Sequence, residues 1–198
     1  MPYAAGLALA VTLTGCAEGS AAPQGSTAPT TGGSPGAPVT SSVAPSSAAA
    51  TKRTAAAPDF PAGLPAAAKK RTKDGAKAFV EHFIDQLNRA WRSPDPRRIK
   101  QLCAEASESC QSFIQTAQDL ERHGHHYDSD PVRVDKATAF GEAGGLMRVE
   151  FLGGQTGARV VDVAGRTVED EATSTTHNMF YLDWNLSGWR VTAIKDVK

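Results

Sequence analysis

Apolar residues are spread along this chain in three different ways. Residues 3–15, YAAGLALAVTLTG, form an unbroken uncharged run. From residue 17 to 58 large apolar side chains almost vanish, leaving Ala, Pro, Ser, Thr and Gly with Glu18, Lys52 and Arg53 as the charged residues. Pattern returns at Phe60, where Ala76, Phe79, Val80, Phe83, Ile84, Leu87 and Trp91 fall at the spacing of one helical face. This predicts a long amphipathic helix, with Thr72 as N-cap and the SPDP of residues 93–96 as its stop. Asp95 or Pro96 opens a short second helix carrying Ile99 and Leu102. Ser107 caps a third from Glu108, whose stripe is Phe113, Ile114, Ala117 and Leu120.

After Gly124 the period becomes two. Residues 132–140, 146–152, 158–163, 178–184 and 189–197 read as strands, separated by the turn-rich EAGG, GGQTG and NLSG. Consecutive strands are expected to pair as antiparallel hairpins. Helices first and strands afterwards predict an α+β domain, with the N-terminal helices packed on a curved antiparallel sheet.

The organisation that follows is a signal segment at 1–15, a disordered tether at 16–58 and a single domain at 59–198. The first run is too short to span a bilayer, which takes roughly 20 apolar residues, and suits the core of a secretory signal, about 7–15 residues. It ends in Leu13-Thr14-Gly15-Cys16, which resembles a bacterial lipobox. The resemblance implies that Cys16 is acylated and holds the protein in the cell membrane, facing outward. Signals begin with Lys or Arg, and MPY has neither, so either the true start is expected upstream or the leader has been trimmed. The tether has too little to bury to offset the entropy of ordering, and as a coil it would average about 35 Å end to end. The formal charge is zero, 21 basic against 21 acidic residues, so no basic field draws the protein to nucleic acid. The KKRTK of residues 69–73 reads as a solvated approach to the first helix.

Cys103 and Cys110 stand seven apart. On one helix that is about 10.5 Å of rise, whereas bridged Cα atoms lie roughly 4.4–6.8 Å apart, so a disulfide requires the helix to break between them. Ser107 provides the break; the alternative is two reduced, buried thiols.

KKRTKDGAKAFVEHFIDQLNRAWRSPDP (69–96), SESCQSFI (107–114) and GWRVTAIKDV (188–197) together resemble an uncharacterised family of actinobacterial surface lipoproteins. Its domain is similar to the cone-shaped fold of nuclear transport factor two and the polyketide cyclases. That family usually has C-x-x-C; here Ser107 takes the first position and Cys103 lies four residues earlier. The resemblance implies a sheet wrapped around the long helix and a cavity at the open end.

Candidate chemistry is sparse. His123, His125, His126, Asp128 and Asp130 form the densest group of metal-ligand types, yet H-x-H-H matches no helical ligand pair, and histidine is favoured at a helix end anyway. No metal or other cofactor is expected. His82, Asp135, Glu150, His177, Tyr181 and Asp183 are the candidates for a general base, and none stands out. Trp91, Phe180, Tyr181 and Trp184 are the candidate lining of a pocket, with Trp189 beside them. A G-x-S-x-G, a phosphate loop and a C-x-x-C are all missing from the sequence. The expected function is a non-catalytic binding or scaffold module for a small ligand or an envelope protein; the alternative is a small cyclase- or isomerase-like enzyme working in the cone.

Overall fold

Thr72 starts helix α1 (Lys73–Arg92) as predicted, its Oγ1 accepting the amide of Gly75 at 3.0 Å. The computed structural model describes residues 59–198; Cys16, the signal segment and the whole of the tether lie outside the described residues. Gly75 is a glycine for steric reasons. A Cβ there would sit 2.1 Å from the carbonyl oxygen of Lys70, because the preceding turn folds back against the helix start. The predicted stripe is buried throughout, and α1 ends with the Ser93 amide on the Arg89 carbonyl. Helix α2 (Arg97–Lys100) buries Ile99, and Leu102 is buried just beyond it.

Helix α3 (Glu108–His123) begins where expected and closes at Gly124 with φ 66°. The cap differs from expectation. Ser107 is fully buried and its hydroxyl makes no hydrogen bond, so the first turn is closed by the backbone alone, Gln111 N to Ser107 O at 3.0 Å.

Two antiparallel sheets follow. Strands β2 (Val132–Ala143), β3 (Leu146–Thr156), β6 (Thr173–Asn185) and β7 (Gly188–Asp196) form the larger, in the order β2-β3-β6-β7. Strands β1 (His126–Tyr127), β4 (Arg159–Val161) and β5 (Thr167–Asp170) form the smaller, in the order β1-β4-β5. The expectation that consecutive strands pair holds for β2–β3 and β6–β7 and is corrected between them: β3 pairs β6, and the β4–β5 hairpin leaves the larger sheet to meet β1. Neither β1, with two residues, nor β5, whose TVED is exposed throughout, carries an alternation to announce it.

GGQTG is corrected as well. Gly153 and Gly154 are inside β3, opposite Thr176 and Thr175, and the chain turns only at Gly157, φ 76°. A Cβ on Gly154 would lie 1.9 Å from the carbonyl oxygen of Ser174, so these glycines permit close strand approach rather than a turn. They also allow β6 to begin at Thr173, five residues before its apolar portion.

The helices pack on one face of the larger sheet, making the domain α+β. Its interior is a chain of rings: Phe113 of α3 against Phe83 of α1, Phe83 edge-on to Phe180 of β6 at 5.8 Å, and Phe180 edge-on to Phe151 of β3 at 5.8 Å. Buried Asn88 ties α1 to the start of β2, donating to the Val132 carbonyl at 2.8 Å and accepting its amide at 3.0 Å. No described helix is long and apolar enough to cross a membrane.

Candidate functional site

A broad concavity lies where α1 runs out. The end of α1, the start of α2 and the stretch from β1 towards β2 enclose a cleft of about 720 Å³. Its walls carry the guanidiniums of Arg89, Arg92 and Arg98 and the carboxylates of Asp85, Asp128 and Asp130, with His126 and Tyr127 between them. A smaller cleft of about 370 Å³ shares Arg92 and His126 and continues over Pro94, Leu120 and Val163.

Helical spacing puts Asp85 and Arg89 one turn apart, and they pair at 3.0 Å. Arg92 reaches across to Asp130 at 3.0 Å. Asp128 is engaged from outside the cleft: the amide of Arg159 donates to it at 3.0 Å and the guanidinium at 2.8 Å, and these bonds hold its carboxyl below the usual carboxylate range. Asp95 is gripped by Arg97 at 2.8 and 3.3 Å, whose hydrogen bond holds that carboxyl low too. Tyr127 stacks on Trp91 and donates to Glu171 at 2.8 Å. Burial and that carboxylate push its phenol well above the ordinary tyrosine range.

Arg98 is the least satisfied cation of the group. Its Nη1 is 3.4 Å from Gln86 Oε1, and its Nε, 3.7 Å from the already occupied Asp95, makes no hydrogen bond. Nothing in the sequence announces this cleft. Arginines in the last turn of a helix are favoured by the dipole alone, and the partner of Arg92 comes from 38 positions further on.

The expected aromatic pocket is not assembled. Trp91 is buried between Tyr127 and Phe113, Phe180 between Phe83 and Phe151, and Trp184 packs on Phe60 and edge-on to Trp189 at 4.8 Å. Tyr181, half-buried, lies beneath Lys195, between the buried Phe180 and Leu182 on its strand. These rings fill space that a cavity would occupy.

The His/Asp group is likewise dispersed. His123 bonds its own helix at the Asp119 carbonyl and stacks on His125, His126 faces both clefts, and Asp128 and Asp130 take arginines. Among the described residues no three His, Cys, Asp or Glu side chains converge as a metal site would need. Of the base candidates, Asp135 holds exposed Arg133, and His177 meets Glu150 at 2.8 Å across β3 and β6. Asp183 lies opposite Arg190 in the β6–β7 register.

His82 alone is buried, 7 % exposed, with its Nε2 unpartnered. Burial lowers its pKa from the usual 6.5, the Asp85 carboxylate opposes this and Arg89 adds to it. The unfolded chain therefore takes up a proton near 6.5 that the folded domain refuses. Stability contributed by the neutral ring is complete above that value and declines as pH falls through it. His82→Gln should flatten the fall in Tm between about pH 7 and pH 5, measured by calorimetry; parallel curves for variant and wild type would clear His82 of this role.

A family model described as "Family of unknown function (DUF6318)" matches residues 48–195. No curated protein matches the chain significantly. Among solved structures, the intermembrane space region of the chloroplast protein ARC6 is similar at TM-score 0.49 and 14 % identity, over 65 % of this chain and 98 % of that one. Aln2 from a Streptomyces species follows at 0.42 and 12 %, over 64 % and 94 %. An uncharacterised protein with a cystatin-like fold from Caulobacter vibrioides gives 0.39 and 12 %, over 60 % and 87 %. At TM-scores under 0.5 these likenesses say nothing about activity.

Proposed function

Since the chain belongs to the family of unknown function DUF6318, whose description carries no activity, we propose from its own residues that it is a lipid-anchored extracytoplasmic lipoprotein with a non-catalytic binding domain. In this reading Cys16 carries the lipid, residues 17–58 form the leash, and the domain, of the nuclear transport factor two-like cone type, works at a distance from the membrane as a surface lipoprotein of actinobacterial kind. The leader and lipobox pattern at 3–16 supports the anchoring. What carries the binding role is the packing of Phe83, Phe113, Phe151 and Phe180, which occupies the space between α1 and the sheet where a cone enzyme would hold its substrate. Concave surface is offered instead on the outside, at the arginine-lined cleft.

A second reading, a small enzyme, draws on His82, a buried group with a free ring nitrogen. A general base must come within about 3 Å of the proton it removes. His82 lines neither of the two clefts, so the binding reading is preferred.

Intact-mass analysis of the protein purified from its native membrane tests the proposal. The expected species begins at Cys16 and carries acyl chains, whereas the Cys16→Ser variant carries none. An unprocessed, unacylated chain in the cytosol would sink it.

A further inference from the structure

Guanidiniums and carboxylates are matched in number around the larger cleft, three of each, but their engagement is not. Asp128 is neutralised by Arg159 from outside, which leaves the cleft with a surplus of positive charge. That surplus is concentrated on two side chains. Arg92 makes a single hydrogen bond, to Asp130. Arg98 has one long contact to the Gln86 amide oxygen and a distant, shared carboxylate. A guanidinium has five N–H donors in a planar fork, so both retain donors that no protein group receives and that face the solvent of the cleft. The Nε of Arg98 lies 3.7 Å from Asp95 and makes no hydrogen bond, so that carboxylate, already taken by Arg97, pairs the guanidinium only loosely.

We propose that this cleft is a binding site for an oxyanion, the carboxylate or phosphate group of a small ligand, gripped between Arg92 and Arg98. The proposal rests on the reading of the domain as a binding module and names the chemistry of its ligand. Arginine forks match the planar or tetrahedral oxygens of such a group with two parallel hydrogen bonds. His126, on the wall shared with the smaller cleft, adds a ring N–H within the same concavity. Asp85 and Asp130 hold Arg89 and Arg92 in place at 3.0 Å each, which reduces the side-chain entropy lost when an anion docks.

The test is titration of the full chain with inorganic phosphate and, separately, with acetate, following the arginine Nε–H signals by NMR. Saturable shifts at Arg92 and Arg98 are expected, and the stronger of the two probes identifies the group preferred. Arg98→Gln should weaken binding by at least about tenfold, and Arg98→Lys, which keeps the charge but loses the fork, by an intermediate factor. Arg71→Gln, which removes an exposed arginine paired with Glu142, should leave binding unchanged. Shifts that never saturate, or that weaken equally in Arg71→Gln, would overturn the site, since they report diffuse attraction only. A ligand that copurifies with native protein and is retained by Arg98→Gln would overturn this inference while leaving the binding module intact.

Discussion

Replacing both Cys103 and Cys110 by serine should cost the domain about 2–3 kcal/mol on the chain-entropy account of so small a loop. For a domain of this size that is a fall in Tm of roughly 5–10 °C. The bridge joins Cα atoms 6.2 Å apart and closes the segment between α2 and α3. That segment is also the outer edge of the larger sheet. Val191 of β7 donates to the Leu102 carbonyl at 3.0 Å and accepts the Ala104 amide at 2.9 Å. Further along, the hydroxyl of Ser109 donates to the Ile194 carbonyl at 3.1 Å and accepts its amide at 3.2 Å. The disulfide thus fixes a short cover over a strand edge that would otherwise expose unpaired backbone.

Loss of the bridge should therefore be felt locally before it is felt globally. Hydrogen exchange in the double variant is expected to quicken at Ala104, Val191 and Ile194, while amides between β3 and β6 lose protection only in proportion to the overall stability change. Equal acceleration at all amides would show that the bridge acts through the unfolded chain alone and not by holding the edge cover.

Phe83→Ala should be more damaging, at about 3–5 kcal/mol. Phe83 is 1 % exposed and links the helices to the sheet, touching Phe113 of α3 on one side and Phe180 of β6 on the other. Truncation removes a large buried area and leaves a void bounded by two rings whose backbones are held by different elements, so collapse around it is restricted. A domain of about 140 residues has a total stability of roughly 7–20 kcal/mol, so one ring is a large share of it. Phe83→Leu should recover most of the loss in urea denaturation, because it restores volume if not the edge-on ring contacts. An alanine variant within about 1 kcal/mol of wild type would mean that the interior is plastic and that a cavity can open there without penalty, which would weaken the case for a filled, non-catalytic core.

The helices were legible because their information is local. The apolar face of α1, its Thr72 cap, the stop at residues 93–96 and the start of α3 at Glu108 all depend on residues a few positions apart. The same holds for all five expected strands and for the α+β order, since alternation over several residues is enough to reveal a half-buried strand. Ser107 shows the limit of such reasoning: the right residue stood at the right place, yet burial of its hydroxyl left the cap unmade.

What the sequence by itself determined is the local conformation of the helices and most strands, the requirement that any Cys103–Cys110 bridge interrupt a helix, and the leader-like pattern ahead of Cys16. Tertiary structure alone decided that β3 pairs β6 and β1 pairs β4, that Gly153 and Gly154 serve close approach rather than a turn, that Trp91, Phe180, Tyr181 and Trp184 go their separate ways, and that Arg92 and Arg98 share a cleft with Asp130 and His126. The physical reason is one of range. Helical and strand periodicity is enforced by neighbours along the chain, whereas pairing partners and cleft walls are chosen by the burial of distant surfaces against one another, a choice that leaves no periodic mark on the residues it brings together.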